Sequence, residues 1–173
     1  MRHMVSVLVE NKFGVLARIS TLFAARGFNI DSLSVSETED PVISKMTIVV
    51  KGNDSIIEQI TKQLNKLVDV IKVHNFNNGE YIERRLALIK INSTKSTRDE
   101  IIRLVGAFRA RIIDILRDSI IAEITGDNEK INAFTKLLIP YGVKETCRTG
   151  AIVLGCDHIN KINKVKIEKE RQK

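Results

Sequence analysis

The spacing of apolar residues along the first half of the chain switches repeatedly between two periods. Apolar and polar residues that alternate, or a short β-branched run, are typical of strands, whereas apolar residues three and four positions apart indicate one face of a helix. The predicted elements are, in chain order, a strand at 4–9, a helix at 15–23, strands at 30–35 and 46–50, a helix at 56–67 and a strand at 70–73.

The second half repeats this order after a polar joint at 75–79. Its predicted elements are a strand at 82–91, a helix at 101–108, strands at 112–115 and 120–124, a helix at 131–138 and a strand at 143–147. Gly52-Asn53-Asp54 and Gly126-Asp127-Asn128 supply matching helix starts, and Ser96, Thr97, Asp99 and Glu100 predict a capping box. We therefore predict an α+β fold of two tandem ferredoxin-like βαββαβ modules.

The duplication predicts three parts of the chain. Residues 1–76 form the first module, residues 80–156 the second, and residues 157–173 a C-terminal tail. Each module packs two helices on one face of an antiparallel sheet. The other face or an edge of each sheet is left for a partner to cover.

The net charge of +7 is concentrated in the tail, because residues 158–173 contain six lysines and arginines against two glutamates. A basic tail can contact nucleic acid or an acidic partner, but a solvated chain end is the simpler interpretation. RNA-recognition modules share the predicted fold and stack bases on strand aromatics. This chain has no Trp and only 5% aromatic residues, so we predict no nucleic-acid binding.

Several other classes of function lack support in the sequence. No apolar run is long enough for a membrane span, so we expect no membrane association. Cys147 and Cys156 form no CxxC pair, and two lone thiols suggest a reducing compartment. No hydrolase, metalloprotease, phosphate-loop or dinucleotide motif is present, so we predict no catalytic residue and no metal site.

The loop after the first strand carries the clearest candidate chemistry. Gly14 lies where the chain turns into a helix, and a glycine there lets a ligand approach the backbone closely. The amides of Gly14, Val15 and Leu16 begin that helix, where free N–H groups and the macrodipole favour a carboxylate. Asn11 adds a side-chain amide, and Asn29 precedes the second strand. Taken alone, these residues are better explained by ordinary turn and cap roles.

Longer runs of residues carry a family resemblance. They are Ser6–Arg18, Arg26–Leu33, Asp40-Pro41, Met46-Thr47-Ile48, Lys62–Val70, Glu83-Arg84 and Arg148-Thr149-Gly150. Over about residues 1–156 the chain resembles the acetolactate synthase (acetohydroxyacid synthase) small subunit, whose first module is an ACT domain. The basic tail at 157–173 has no counterpart in this resemblance.

The resemblance implies a regulatory subunit without catalysis or a bound cofactor of its own. Its partner would be a large catalytic subunit that carries thiamine diphosphate, Mg²⁺ and FAD. That subunit condenses two pyruvates, or pyruvate with 2-oxobutyrate, in valine, leucine and isoleucine biosynthesis. The small subunit raises this activity and confers feedback inhibition by valine. The implied location is a bacterial cytoplasm or, for an organelle-encoded chain, a plastid stroma.

The resemblance also implies an effector site at a homodimer interface. The residues concerned are Asn11, Gly14, Val15 and Leu16 of one protomer, facing Asn29 and Ile30 of another. The amides of 14–16 hold the valine carboxylate, the two asparagine side chains help hold its charged groups, and the aliphatic part packs on Leu16 and Ile30. The second module is expected to contact and activate the catalytic subunit. A free-standing ACT-domain amino-acid sensor with another partner is the alternative function.

Overall fold

The computed structural model describes residues 1–76 and 81–156, and the chain divides into two compact units. The first unit contains Met1–Ile82 and the segment that begins at Ala151, and the second contains Glu83–Gly150. The predicted tail at 157–173 and residues 77–80 of the joint lie outside the described residues. Within the described part, no helix has both the length and the apolar character that a bilayer crossing requires.

The first unit has the predicted order of elements. They are β1 (Arg2–Glu10), α1 (Val15–Ala25), β2 (Ile30–Glu37), β3 (Ile43–Lys51), α2 (Asp54–Leu64) and β4 (Val70–Phe76). The four strands form one antiparallel sheet in the order β2-β3-β1-β4, so β1 and β3 are central and β2 and β4 are edges. The βαββαβ prediction for this half is confirmed.

Alternation along the central strands builds the core of the first unit. Val5, Val7 and Val9 point to the same side of β1, because successive side chains of a strand face opposite sides. They pack against the apolar stripes of the two helices. The buried residues on this side are Val5, Val7, Val9, Val15, Ile19, Phe23, Met46, Ile48, Val50, Ile57, Ile60 and Leu64.

The second unit repeats the architecture. Its elements are β5 (Tyr81–Asn92), α3 (Arg98–Ala107), β6 (Arg111–Ile115), β7 (Ser119–Gly126), α4 (Asn128–Leu138), a short 3₁₀ turn (Ile139–Tyr141) and β8 (Val143–Arg148). The strand order β6-β7-β5-β8 corresponds to that of the first unit, with β6 and β8 as edges. A separate core of Ala87, Ile89, Ile91 and residues from α3, β7 and α4 lies between the sheet and its helices.

Matching side chains begin the second helix of each unit. Asn53 Oδ1 accepts a hydrogen bond from the Ile56 amide at 3.0 Å, and Asp127 Oδ1 accepts one from the Lys130 amide at 2.8 Å. Each bond satisfies an amide that has no partner inside its helix. The two predicted helix starts are therefore confirmed.

The capping box predicted at the start of α3 from Ser96, Thr97, Asp99 and Glu100 is wrong, because a different pair of residues makes the hydrogen bonds there. The Thr94 amide donates to Thr97 Oγ1 at 3.0 Å, and the Thr97 amide donates to Thr94 Oγ1 at 3.3 Å. Two threonines three positions apart thus satisfy each other's amides one turn before the helix begins at Arg98. Asp99 and Glu100 place negative charge in the first turn, where the helix dipole favours it.

A strand that the sequence analysis missed covers part of the second face of the first unit. It is β9 (Ile152–Gly155), which pairs with β5. Ala151 and Val153 are buried with Met4, Val49 and Phe76 in a small core opposite the helices. The Ala151 amide also donates to Ser32 Oγ at 3.2 Å. The sequence predicts that a partner covers this face or an edge of the sheet, and the structure shows that the chain itself covers part of the face.

We predict that Asn53→Ala lowers the free energy of unfolding by about 1 kcal/mol, because the Ile56 amide at the start of α2 loses its side-chain acceptor. Asn53→Ser keeps an acceptor oxygen and should stay within roughly 0.5 kcal/mol of the parent. Urea denaturation of the full chain measures both. Equal losses in the two variants would contradict the assigned cap.

Candidate functional site

Gly14 occupies the turn from β1 into α1, where the backbone must adopt a conformation that glycine takes more readily than other residues. Its φ is 83° and its ψ is −5°, in the left-handed region that side chains disfavour. A Cβ added at Gly14 would meet no atom within 4 Å. The glycine therefore serves the backbone turn and leaves open space beside it.

The amides that follow Gly14 are only partly engaged. The Val15 amide donates to the Lys12 carbonyl at 3.4 Å, a long bond that the sequence analysis did not anticipate. Among the described residues, no hydrogen bond uses the amides of Gly14 and Leu16. The first turn of α1 also contains no acidic residue, so two donors and the positive end of the helix remain for an anion.

Asn11 is held by the turn between β2 and β3. Its backbone amide donates to the Val42 carbonyl at 2.7 Å, and its Nδ2 donates to Glu37 Oε1 at 3.2 Å and to the Pro41 carbonyl at 2.8 Å. Both side-chain donors are therefore used. Within the described residues no donor reaches Asn11 Oδ1, so this oxygen can accept a hydrogen bond from an ammonium group.

The side chains around the loop separate into buried and exposed positions. Val15 is only 3% exposed and packs into the core, so its side chain cannot contact a ligand. Leu16 is 42% exposed, and Phe13 and Val42 are also exposed. Val42 also lines an open depression of about 230 Å³, together with Glu10, Lys12, Ile43 and Ile71. The loop thus combines free amides with exposed apolar surface.

Charges near the loop neutralise one another locally. Lys12 Nζ lies 2.7 Å from Glu10 Oε2, and this hydrogen bond raises the pKa of the exposed lysine. Arg18 Nη2 lies 3.0 Å from Asp69 Oδ2. Because both cations already have carboxylate partners, the loop favours a ligand with balanced charges over a strongly charged anion.

Asn29 and Ile30 stand at the beginning of β2. Asn29 is exposed, and its Nδ2 donates to Asp31 Oδ1 at 3.1 Å. Asp31 also pairs with Lys51 at 2.9 Å, and the hydrogen bond from Lys51 lowers the pKa of this carboxyl. Ile30 is half-buried against the core of the first unit. These residues offer a polar amide beside a fixed aliphatic surface.

The strand register keeps the two groups of predicted site residues apart within one chain. Ile30 pairs with Val50, which pairs with His3 near the start of β1. Glu37, at the other end of β2, pairs with Ser44, which pairs with Val9. Since a strand rises about 3.3 Å per residue, the Asn11 loop and Asn29 lie roughly 20 Å or more apart. One chain brings Asn11, Gly14, Val15 and Leu16 together but not Asn29 and Ile30.

The residues that hold Asn11 were not found by sequence reasoning. The partners of Asn11 lie about thirty positions further along the chain, at Glu37, Pro41 and Val42. No local sequence pattern links them to Asn11.

No group of three or more His, Cys, Asp or Glu side chains within the described residues is placed to hold a metal ion. Cys147 and Cys156 are both exposed free thiols.

The fold and the glycine-turned loop place the first unit in the class of ACT domains. Residues 5–72 match the family model described as the AHAS small subunit-like ACT domain. Residues 84–157 match the model described as the small subunit of acetolactate synthase. The chain belongs to the family of acetolactate synthase small subunits.

Relatives support this membership over nearly the whole chain. A probable acetolactate synthase small subunit from Archaeoglobus fulgidus is 51% identical over 154 residues, which cover 89% of this chain and 96% of that protein. The small subunit from Mycolicibacterium smegmatis is 49% identical, covering 87% of this chain and 88% of that protein. The family named from the sequence resemblance is therefore confirmed.

A solved structure supports the fold. The crystal structure of the acetolactate synthase small subunit from Thermotoga maritima matches with a TM-score of 0.85 and 44% identity, covering 92% of this chain and 99% of that chain. The prediction of tandem ferredoxin-like modules, the first an ACT domain, is confirmed by this match.

We predict that Asn11→Asp loosens the loop, because it removes both Nδ2 donors and places a carboxylate beside Glu37. Hydrogen exchange of the Asn11 and Thr38 amides should accelerate roughly fivefold, which corresponds to about 1 kcal/mol. Asn65→Asp alters an exposed asparagine at the end of α2 and serves as the control. Unchanged exchange in Asn11→Asp would show that these bonds do not hold the loop.

Proposed function

We propose that this chain is the regulatory subunit of acetolactate synthase, without catalysis of its own, and that it confers feedback inhibition by valine. It activates a large catalytic subunit, on which thiamine diphosphate, Mg²⁺ and FAD are expected. The observation that carries the proposal is that the two groups of residues predicted to bind the effector lie at opposite ends of one sheet. Bacterial and archaeal relatives favour action in a cytoplasm over a plastid stroma.

A homodimer through the β2 edges would unite the two halves of the site. β2 is an edge strand, so its outer backbone groups are available for another strand. If a two-fold axis relates the two protomers, their β2 strands pair in antiparallel orientation. The start of β2 in one protomer then lies beside the end of β2 in the other. Glu37 marks that end and contacts Asn11. Asn29 of one protomer therefore approaches the Asn11 loop of its partner.

The chemistry of this composite site suits a small aliphatic amino acid. The amides of Gly14 and Leu16 would hold the carboxylate at the positive end of α1. Asn11 Oδ1 would accept from the ammonium group, and the side chain of valine would lie between Leu16 and the partner's Ile30. The locally neutralised charges of the loop match a zwitterion, which has no net charge.

Inhibition follows from linkage between this site and the catalytic subunit. Valine that bridges two protomers stabilises one arrangement of the dimer, and a second module bound to the large subunit senses that arrangement. A coupling free energy of about 1–3 kcal/mol changes activity or affinity by roughly 5–150-fold. By reciprocity, binding of the large subunit changes the affinity for valine by the same factor.

The direct test mixes the purified chain with the large subunit of the same organism and measures acetolactate formation with and without valine. We expect activation by the chain and loss of that activation with valine. Valine binding without association with the large subunit would favour the alternative of a free-standing sensor. Activation that valine does not affect would contradict the proposed effector.

Gly14→Ala should weaken valine inhibition about tenfold or more, because a Cβ enters the open space beside the free amides and strains the left-handed turn. Gly142→Ala is the matched control. Gly142 also has a left-handed φ, of 88°, but lies in the second unit. Inhibition curves of acetolactate formation measure both variants. A Gly14→Ala chain that keeps the parent's sensitivity to valine would remove the loop from the site.

Val35→Lys should weaken the affinity of the two protomers for each other at least tenfold. The lysines on the two β2 edges would repel each other, and natural edge strands often carry lysines that prevent strand addition. Val35 is 41% exposed on that edge. Val68→Lys, at a position 97% exposed after α2, is the control. Sedimentation equilibrium measures the dimer, and calorimetry should show that valine affinity falls with it. A monomeric variant that still binds valine normally would contradict a shared site.

A further inference from the structure

The two edge strands of the second unit differ in their exposed apolar side chains. Edge β8 presents exposed charged residues, Lys144, Glu145 and Arg148, which discourage addition of another strand. Edge β6 instead presents Ile113 and Ile115, which are 55% and 48% exposed, and Leu116 follows it at 37%. β6 also carries the exposed Arg111 and Asp114 and a bulge at Ile113, so what distinguishes it from β8 is its exposed apolar side chains rather than a lack of charge.

Arginines surround the apolar β6 edge. Arg109 and Arg111 stand at its start and Arg117 just after its end, and all three are exposed. Asp114 is the one acidic residue between Arg109 and Arg117. Within the described residues, no ion pair engages any of these three arginines. The edge therefore presents exposed apolar side chains flanked by cations whose charges are unmatched.

Arg109 occupies a backbone position that favours glycine. Its φ is 54°, in the left-handed region, at the turn where α3 ends and the Ala110 amide donates to the Val105 carbonyl. The equivalent turn after α1 has Gly27 at a φ of 67°, with the Phe28 amide donating to the Phe23 carbonyl. Arginine strains this turn where glycine would not. The backbone turn thus does not account for an arginine at this position.

We propose that the β6 edge of the second unit is the surface on which the large catalytic subunit docks, by adding an extended segment whose flanks carry carboxylates. This inference rests on the proposed function, which supplies the partner. Backbone hydrogen bonds along the open edge would provide affinity, and the exposed isoleucines would be buried. The arginines would pair with the partner's carboxylates.

A second copy of the chain fits this edge poorly. Residues 109–117 contain three arginines and one aspartate in each copy, so antiparallel pairing of two β6 strands would place two net-positive segments side by side. Like charges opposite each other destabilise a strand pair. Charge complementarity therefore favours a different, acidic chain.

The test uses point variants of the full chain, because deletion of the C-terminal part would also remove Ala151 and Val153 from the core of the first unit. Ile113→Lys protects the edge with a charge and should weaken the affinity for the purified large subunit at least tenfold. Leu137→Lys changes a residue of similar exposure, 47%, on α4 of the same unit and should leave that affinity unchanged.

Arg109→Gly separates docking from folding. It relieves the strained turn, so it should raise the thermal unfolding temperature while weakening the affinity for the large subunit several-fold. Lys136→Glu, on the exposed side of α4, is the charge control and should not affect affinity. Biolayer interferometry measures affinity, and valine binding by calorimetry reports the first unit independently.

Each outcome decides a separate claim. Weaker docking in Ile113→Lys and Arg109→Gly, with normal valine binding, supports the β6 surface. Parent-like docking in both variants overturns it while leaving the regulatory function intact. Loss of self-association instead of docking in Ile113→Lys would also overturn it, since the edge would then bind a second copy. A parent chain that binds no large subunit refutes the proposed function itself.

Discussion

The register of the first sheet is the constraint on which the account depends. β3 pairs along the whole of β1 and along β2, so the start of β2 is fixed beside the start of β1 and the end of β2 beside its end. The Asn11 loop follows the end of β1, whereas Asn29 precedes the start of β2. No rotation of side chains can bridge that separation. A ligand that touches both groups must lie between two chains, which makes effector binding and dimerisation one linked equilibrium.

The duplicated modules differ at the two places where function is proposed. In the first unit, Gly14 turns the chain and its amide is free, whereas in the second the amide at the corresponding position, that of Thr97, donates to Thr94 Oγ1. At the turn after the first helix the contrast is between Gly27 and Arg109. One module thus retains a backbone suited to a small ligand. The other presents cations and an apolar edge suited to a polypeptide.

Periodicity was sufficient to predict the elements because each half repeats the same strand and helix spacings, and Asn53 and Asp127 mark helix starts by a local hydrogen bond. The sequence could not show β9, because its burial depends on Met4 and Val49, far away in the chain. Likewise, nothing local to Asn11 reveals that Glu37 and Pro41 occupy its donors. The threonine pair before α3 could have been recognised from its spacing, but acidic residues nearby suggested a different cap.

Mixed dimers test the shared site most directly. Leu16→Asp places a repelling carboxylate in the loop and Asn29→Asp places one at the strand, and both positions are exposed. Each variant alone should bind no valine. After subunit exchange in an equimolar mixture, half of the dimers contain one chain of each variant. If the site is built from two chains, each mixed dimer holds one undamaged site. We therefore expect valine to bind at about a quarter of all sites. A mixture that binds no more valine than the separate variants would contradict the account.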